Sequence, residues 1–336
     1  MTPHKRRRIA ALLLTLLLIP AVFVHDRGMR FDHLGRIGAK TLRVPASAAS
    51  GLGPFRLAGA WQLDSGDVLF GGYSALLARP GGRLLAISDR GGVLDLREPP
   101  LGPAPFRMTP LTRFEKRTLT DAEAATTGPS GQIWISWEDG RAIGRLEPGL
   151  GRELRIFPRA MQDWSQQFAG ESLVRLADGR FLITAEAFLD ADSDHQTLSF
   201  ASDPAEGAVN KSAGSVIPTS GVLHMAPGYR PTDMAQLPDG RVLVLMRKLI
   251  WPLPMRFSCR IAIANPADLA RTGQWTARDL ARLDSPFPSD NYEGIAVRAR
   301  PDGKLDVWII SDDNRASTQR TLLLKLDLDP ARLPPA

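Results

Sequence analysis

The chain of 336 residues has a single cysteine, Cys259, so no disulfide can form within it. The neighbours of Cys259 fit neither a metal-binding nor a catalytic cysteine motif, which leaves the reading of a small buried apolar side chain. The sequence also lacks a Gly-x-Ser-x-Gly elbow, a phosphate-cradling glycine loop and a His-Glu-x-x-His pair. These absences remove the serine-hydrolase, nucleotide-binding and zinc-protease signatures. There is no basic helix and no interleaving of aromatic residues with Lys and Arg, so a net charge of +6 does not indicate a nucleic-acid partner. Much of that charge lies in one cluster, His4, Lys5, Arg6, Arg7 and Arg8. At 43% hydrophobic and 23% charged, the composition is that of a globular protein with enough apolar residues for a large core.

The basic cluster is followed by an uncharged apolar run, Ile9 to Val24, interrupted by Pro20. Positive charge before a hydrophobic stretch is the pattern of an export signal, and it keeps the charged end in the cytoplasm. The run ends without a clean pair of small residues, so residues 1–25 read as a signal peptide or as a retained membrane anchor. Either reading places the globular part in the periplasm or elsewhere outside the cytoplasm, attached to the inner membrane if the segment is kept. Residues 26–50 read as a linker and residues 51–336 as the folded domain.

No long amphipathic helical pattern follows. A hairpin of strand, glycine turn and second strand recurs instead, with turn glycines at Gly82, Gly131, Gly179, Gly240 and Gly303. Their spacings of 49, 48, 61 and 63 residues match one four-stranded blade apiece. The expected fold is all-β, a single β-propeller of five blades, with a sixth if Leu189 to Tyr229 forms one. Arg141 to Glu147 and Glu153 to Phe157 read as outer strands of the second blade, and Arg260 to Ala264 and Trp275 to Leu283 as those of the fourth. Phe55 to Leu63 has no hairpin of its own and the last hairpin lacks an outer strand, so the first strand is expected to pair beside Thr321 to Leu328.

In every hairpin the start of the first strand and the end of the second are neighbours, and in a propeller these ends converge at one mouth of the channel. Strand starts supply Tyr73, Ser74, Asp121, Glu123, Glu171, Asp233 and Glu293; strand ends supply Asp89, Arg90, Glu138, Asp139, Glu186, Arg247, Lys248, Asp312, Asp313 and Asn314. So many like charges need a compensating cation, and a hard ion such as Ca²⁺ takes carboxylate oxygens. Elsewhere, Asp190, Asp192 and Asp194 resemble the opening of a calcium loop, but His195 stands where its glycine is required, so the segment reads as a solvated acidic loop. His195 and His224 read as surface or interface residues.

Asp290-Asn291-Tyr292-Glu293-Gly294-Ile295-Ala296-Val297, Trp308-Ile309-Ile310-Ser311-Asp312-Asp313-Asn314 and Gln319-Arg320-Thr321-Leu322-Leu323 resemble the phytase-like domain family, described by its esterase-like activity. Asp121-Ala122-Glu123 and Pro231-Thr232-Asp233 fit the same pattern, and the likeness covers about residues 55 to 330. The resemblance implies an exported propeller acting on phosphate or other esters. One departure is Met246-Arg247, where similar proteins carry a Glu-Arg pair. On this reading Glu123, Glu171, Glu293 and Asp312 hold Ca²⁺, and Arg90 and Arg247 orient the leaving oxyanion. Glu186 or Asp89 accepts a proton, and Asp233, Lys248, Asp313 and Asn314 contact the ligand. The expected partner is a small phosphorylated or ester ligand, the expected state a monomer, and membrane contact is confined to an uncleaved N-terminal segment. A propeller presenting the same mouth to a ligand or protein without catalysis is the second reading.

Overall fold

The computed structural model describes residues 37–99, 107–110, 121–150, 153–165, 168–190, 192–210, 215–252 and 255–335, with positions 5, 7 and 9 of the N-terminal segment. The expected signal or anchor, residues 1–25, therefore lies almost wholly outside the described residues. Among the described residues no helix is long and apolar enough to cross a membrane.

Five sheets form five blades, each built outward from its inner strand. Blade 1 runs Tyr73–Arg79, Arg83–Ser88, Gly92–Arg97, Arg107–Pro110, and blade 2 runs Ala122–Thr127, Ile133–Trp137, Ala142–Leu146, Glu153–Ile156. Blade 3 runs Gly170–Arg175, Phe181–Phe188, Asp194–Phe200, Thr219–His224, and blade 4 runs Arg230–Gln236, Val242–Pro252, Met255–Ala264, Arg278–Arg282. Blade 5 runs Asn291–Ala299, Leu305–Asp312, Thr321–Leu328, then Phe55–Asp64 and Gly38–Thr41. Each inner strand lies against the inner strands of the blades before and after it, round to blade 5 against blade 1.

The hairpins form where the sequence alternates around a glycine turn. Gly179 and Gly240 take φ of +94° and +90°, which an L side chain rarely adopts. The second strand of each blade is apolar on both faces because both are covered. In blade 4, Val242, Val244 and Met246 pack with Val174 and Leu182 of blade 3. The intervening Leu243 and Leu245 pack with Val307 and Ile309 of blade 5. A strand buried on both faces reads as a continuous hydrophobic run, and Val-Leu-Val-Leu-Met is that run.

Phe55–Asp64 pairs antiparallel with Thr321–Leu328, from Phe55 opposite Leu328 to Leu63 opposite Thr321. Three expectations need correction. Among its described residues Leu189 to Tyr229 forms no sixth blade; it supplies the third and fourth strands of blade 3. Trp275 to Leu283 is divided: Gln274–Thr276 pairs parallel with Thr219–His224 of blade 3, while Arg278–Arg282 stays with blade 4. The stretch read as a linker is folded over its second half, where Gly38–Thr41 pairs with Phe55–Asp64 and Ala46–Leu52 forms a 3₁₀ helix that buries Ala48 and Leu52.

Candidate functional site: an acidic channel mouth

All five inner hairpins carry the same irregularity near the start of the first strand. The register skips one residue between Tyr73 and Ala75, Ala122 and Ala124, Gly170 and Ser172, Pro231 and Asp233, and Tyr292 and Gly294. The bulged residues are Ser74, Glu123, Glu171, Thr232 and Glu293. A bulge re-aims its side chain out of the normal alternation, and here four of the five line one cavity, Thr232 being the exception.

A second ring comes from the other end of the hairpins. Tyr73, Ala122, Gly170, Pro231 and Tyr292 pair with Ser88, Trp137, Ala185, Met246 and Ser311. The next residue in each blade is Asp89, Glu138, Glu186, Arg247 or Asp312, and all five line the same cavity. Four equivalent positions thus hold a carboxylate, and blade 4 holds an arginine.

The cavity has a volume of about 330 Å³ and is walled by eight carboxylates, the seven in these rings and Asp121, with Phe168 and Asn314. Among the described residues Arg247 is its one lining cation. Arg247 Nη1 donates to Glu293 Oε1 at 2.5 Å and to Asn291 Oδ1 at 2.7 Å, while Nη2 reaches Glu186 Oε1 at 3.5 Å. Asn291 also donates to Glu293 Oε1 at 2.7 Å. Burial opposes the guanidinium charge, but Glu293, Glu186, Glu171 and Glu123 outweigh it and raise the Arg247 pKa.

One arginine does not neutralise eight acids. Burial, then the charges of Glu171 and Glu293, pushes Glu123 well above the carboxylate range. Burial and Glu186 do the same to Glu171, and burial, Glu293 and Asp89 to Asp312. Glu293, although paired to Arg247, is raised by burial to about 7. Glu138 is raised to about 8 by burial and by Asp121, with which it shares a hydrogen bond. Asp89 is raised by burial against the opposing pull of Arg90. Such a cluster takes up protons or a cation to lower its own repulsion. The donors suit a hard cation: Asp121, Glu123 and Glu138 each offer one oxygen, and those atoms lie within 4.8 Å of one another.

The structure brings together Glu123, Glu171, Glu293, Asp312, Asp89, Glu186, Arg247 and Asn314 around this cavity. It does not bring in the other four. Asp233 lies one residue beyond the bulge, so its side chain faces blade 5 and accepts from the backbone N–H groups of Met234 and Ile295, both at 2.8 Å. Asp313 turns to the junction of blades 5 and 1, where it accepts from Gly72 and Arg315 backbone and from Thr321 Oγ1. Arg90 stands on the rim, 3.8 Å from Asp89 and 41% exposed. Lys248 lines a neighbouring cavity. His195, expected at a surface or interface, is fully buried, with Nδ1 3.1 Å from Ala185 O and Nε2 3.1 Å from Tyr229 O. Asp121 and Glu138 have no role in the expected calcium set although they stand at strand ends; their mutual approach depends on the backbone path at the mouth. Phe168 lies outside any repeated hairpin and carries no sequence signal.

A family model described as "Phytase-like: Esterase-like activity of phytase" matches residues 68–315. The chain belongs to this phytase-like family. The matched span contains every residue of both mouth rings. No curated protein matches the chain. Among solved structures, the phytase-like chain is similar to a gluconolactonase from Xanthomonas campestris at 12% identity and TM-score 0.40, covering 86% of this chain and 97% of that one. An aldose sugar dehydrogenase from Streptomyces coelicolor in its PQQ-bound form matches at 13% identity and TM-score 0.44, over 87% and 98%. An endo-arabinase from Bacteroides thetaiotaomicron matches at 10% identity and TM-score 0.49, over 76% and 94%.

Proposed function

We propose that this phytase-like propeller is an exported, calcium-dependent hydrolase of phosphate or carboxylate esters that works at the acidic mouth. The observation that carries the reading is the pooling of eight carboxylates and one arginine around a single cavity. Asp121, Glu123 and Glu138 are the first candidates to hold the ion, with Glu171 and Asp312 completing an all-oxygen set. Glu293 belongs with Arg247 instead, because their ion pair already commits one of its oxygens. What calcium supplies there is Lewis acidity toward an ester oxygen.

Arg247 is held by Glu293 and Asn291 and is placed to face negative charge developing in the cavity. Glu186 and Asp89 stand at equivalent ring positions and serve as proton acceptors for an attacking water. Adding calcium to chelator-treated protein should raise the melting temperature by mass action on the native state. The variant Glu123→Gln should weaken calcium binding by at least about tenfold and should lose turnover of chromogenic phosphate and carboxylate esters. Calcium binding without turnover of any ester would support the non-catalytic binding propeller; a melting temperature indifferent to calcium and to chelator would refute the calcium-dependent hydrolase. For export, a reporter active only outside the cytoplasm and fused after the chain should be active, and a silent fusion would refute that part.

A further inference from the structure

Beside the acidic mouth lies a second cavity of about 450 Å³ with the opposite charge. Among the described residues Arg230, Arg247 and Lys248 line it, against one carboxylate, Glu186. The two cavities share Phe168, Glu186 and Arg247, so they are divided only by side chains that belong to both.

Its cations are held in place by aromatic rings. The guanidinium of Arg230 lies 4.6 Å from the ring centres of both Phe168 and Phe188. Arg247 lies 5.8 Å from the ring of Phe257. Lys248 Nζ is 5.8 Å from the ring of Tyr229 and makes a 3.3 Å hydrogen bond to Pro227 O. Gly228 leaves the room that the ammonium occupies: a Cβ there, at φ +76°, would lie 2.6 Å from Nζ. Arg230 Nη1 is buried and makes no hydrogen bond among the described residues, its contact with Glu186 Oε2 being an ion pair at 3.5 Å. A buried guanidinium N–H without an acceptor is costly, and an oxyanion entering this cavity would supply one. Aromatic stacking lowers the entropy lost when these cations close on an anion.

We infer that this cavity is an anion subsite, and that the ester taken at the mouth carries a carboxylate or phosphate group on a short apolar stem. The inference rests on the hydrolase reading for its substrate, though not for its binding. The apolar stem would lie along Phe168, Phe188 and Phe257, the anion between Arg230 and Lys248, and the ester across the shared wall. A cavity of this size is within the range for small-ligand sites.

The test uses the full chain and two probes, succinate and inorganic phosphate, titrated calorimetrically into calcium-free protein. At least one should bind, the tighter naming the oxyanion preferred, and Lys248→Gln and Arg230→Gln should each weaken that binding at least tenfold. Lys248 is half-buried, so its variant should retain the wild-type melting temperature and decide the matter if Arg230→Gln fails to fold. In parallel, wild-type kcat/KM should favour mono-4-nitrophenyl succinate over 4-nitrophenyl butyrate, and the preference should fall in Lys248→Gln. No binding of either probe, or binding unchanged in Lys248→Gln, overturns the subsite even where neutral esters are hydrolysed. Binding lost in the variants with no ester turned over leaves the subsite standing and refutes the hydrolase.

Discussion

At the scale of single residues, the mouth has a pH dependence opposite in sign to that of paired surface carboxylates. Glu293 and Glu138 hold their protons to about 7 and about 8 in the native state, against 4.5 for an ordinary glutamate. Between those values the native protein binds more protons than the unfolded chain, so stability from these groups is present at acid pH and is lost as pH rises through 7 and 8. Asp290, raised by burial to about 6, acts in the same direction. Asp178 and Asp239, lowered chiefly by their hydrogen bonds to Arg180 and Arg241 despite some burial, act oppositely but only below the ordinary aspartate range. The melting temperature of chelator-treated protein should therefore fall from pH 5.5 to pH 9, and calcium should recover most of the loss at the alkaline end. A flat or rising profile in chelator would contradict this assignment. Position at the hairpin ends placed most of these side chains at the mouth but failed at Asp233, because nothing in Pro231-Thr232-Asp233 marks which residue the register skips. Thr232 takes the bulge, and a shift of one residue sends Asp233 to the opposite face. The proximity of Asp121 to Glu138 and the stacking of Arg230 are equally invisible to spacing.

At the scale of elements, the inner strands approach so closely that some positions admit no side chain. A Cβ on Gly294 of blade 5 would lie 2.8 Å from Leu76 N and 2.9 Å from Ala75 C, both backbone atoms of blade 1. Backbone cannot swing aside as a flexible side chain can. Gly294→Ala should cost about 1–3 kcal/mol, read as a lower denaturant midpoint with an unchanged slope. A variant as stable as the wild type would mean that the two strands can part at little cost. The five inner hairpins were legible because a glycine turn between two apolar strands is a local signal. Outer strands were less so. Gln274–Thr276 joins blade 3 across a chain reversal from blade 4, and three residues say nothing about which sheet receives them. Gly38–Thr41 is short and largely exposed, so it lacks the alternation that identifies a strand.

At the scale of the whole molecule, blade 5 is assembled from the two ends of the described chain. Thr321–Leu328 is buried along most of its length and depends on Phe55–Asp64 for its outer hydrogen bonds. A chain lacking residues 1–64 should present that strand as an open edge, which invites pairing between molecules. Light scattering should then report oligomers or aggregates where the full chain is monodisperse; a truncated monomer with unchanged thermal unfolding would show that the strand is dispensable. The recurrence of one bulge in five blades has a further meaning for how such a mouth can change over evolutionary time. Four blades bring a bulged residue to the cavity and all five bring a rim residue, from the same register skip, so the ligand chemistry can be altered at single positions while the blades keep their packing. Ser74 and Thr232 already occupy bulges without charge, and Arg247 already reverses the sign of one rim position. The propeller thus behaves as a register of repeated positions, in which Arg247 ties the digits of blades 3, 4 and 5 to one another.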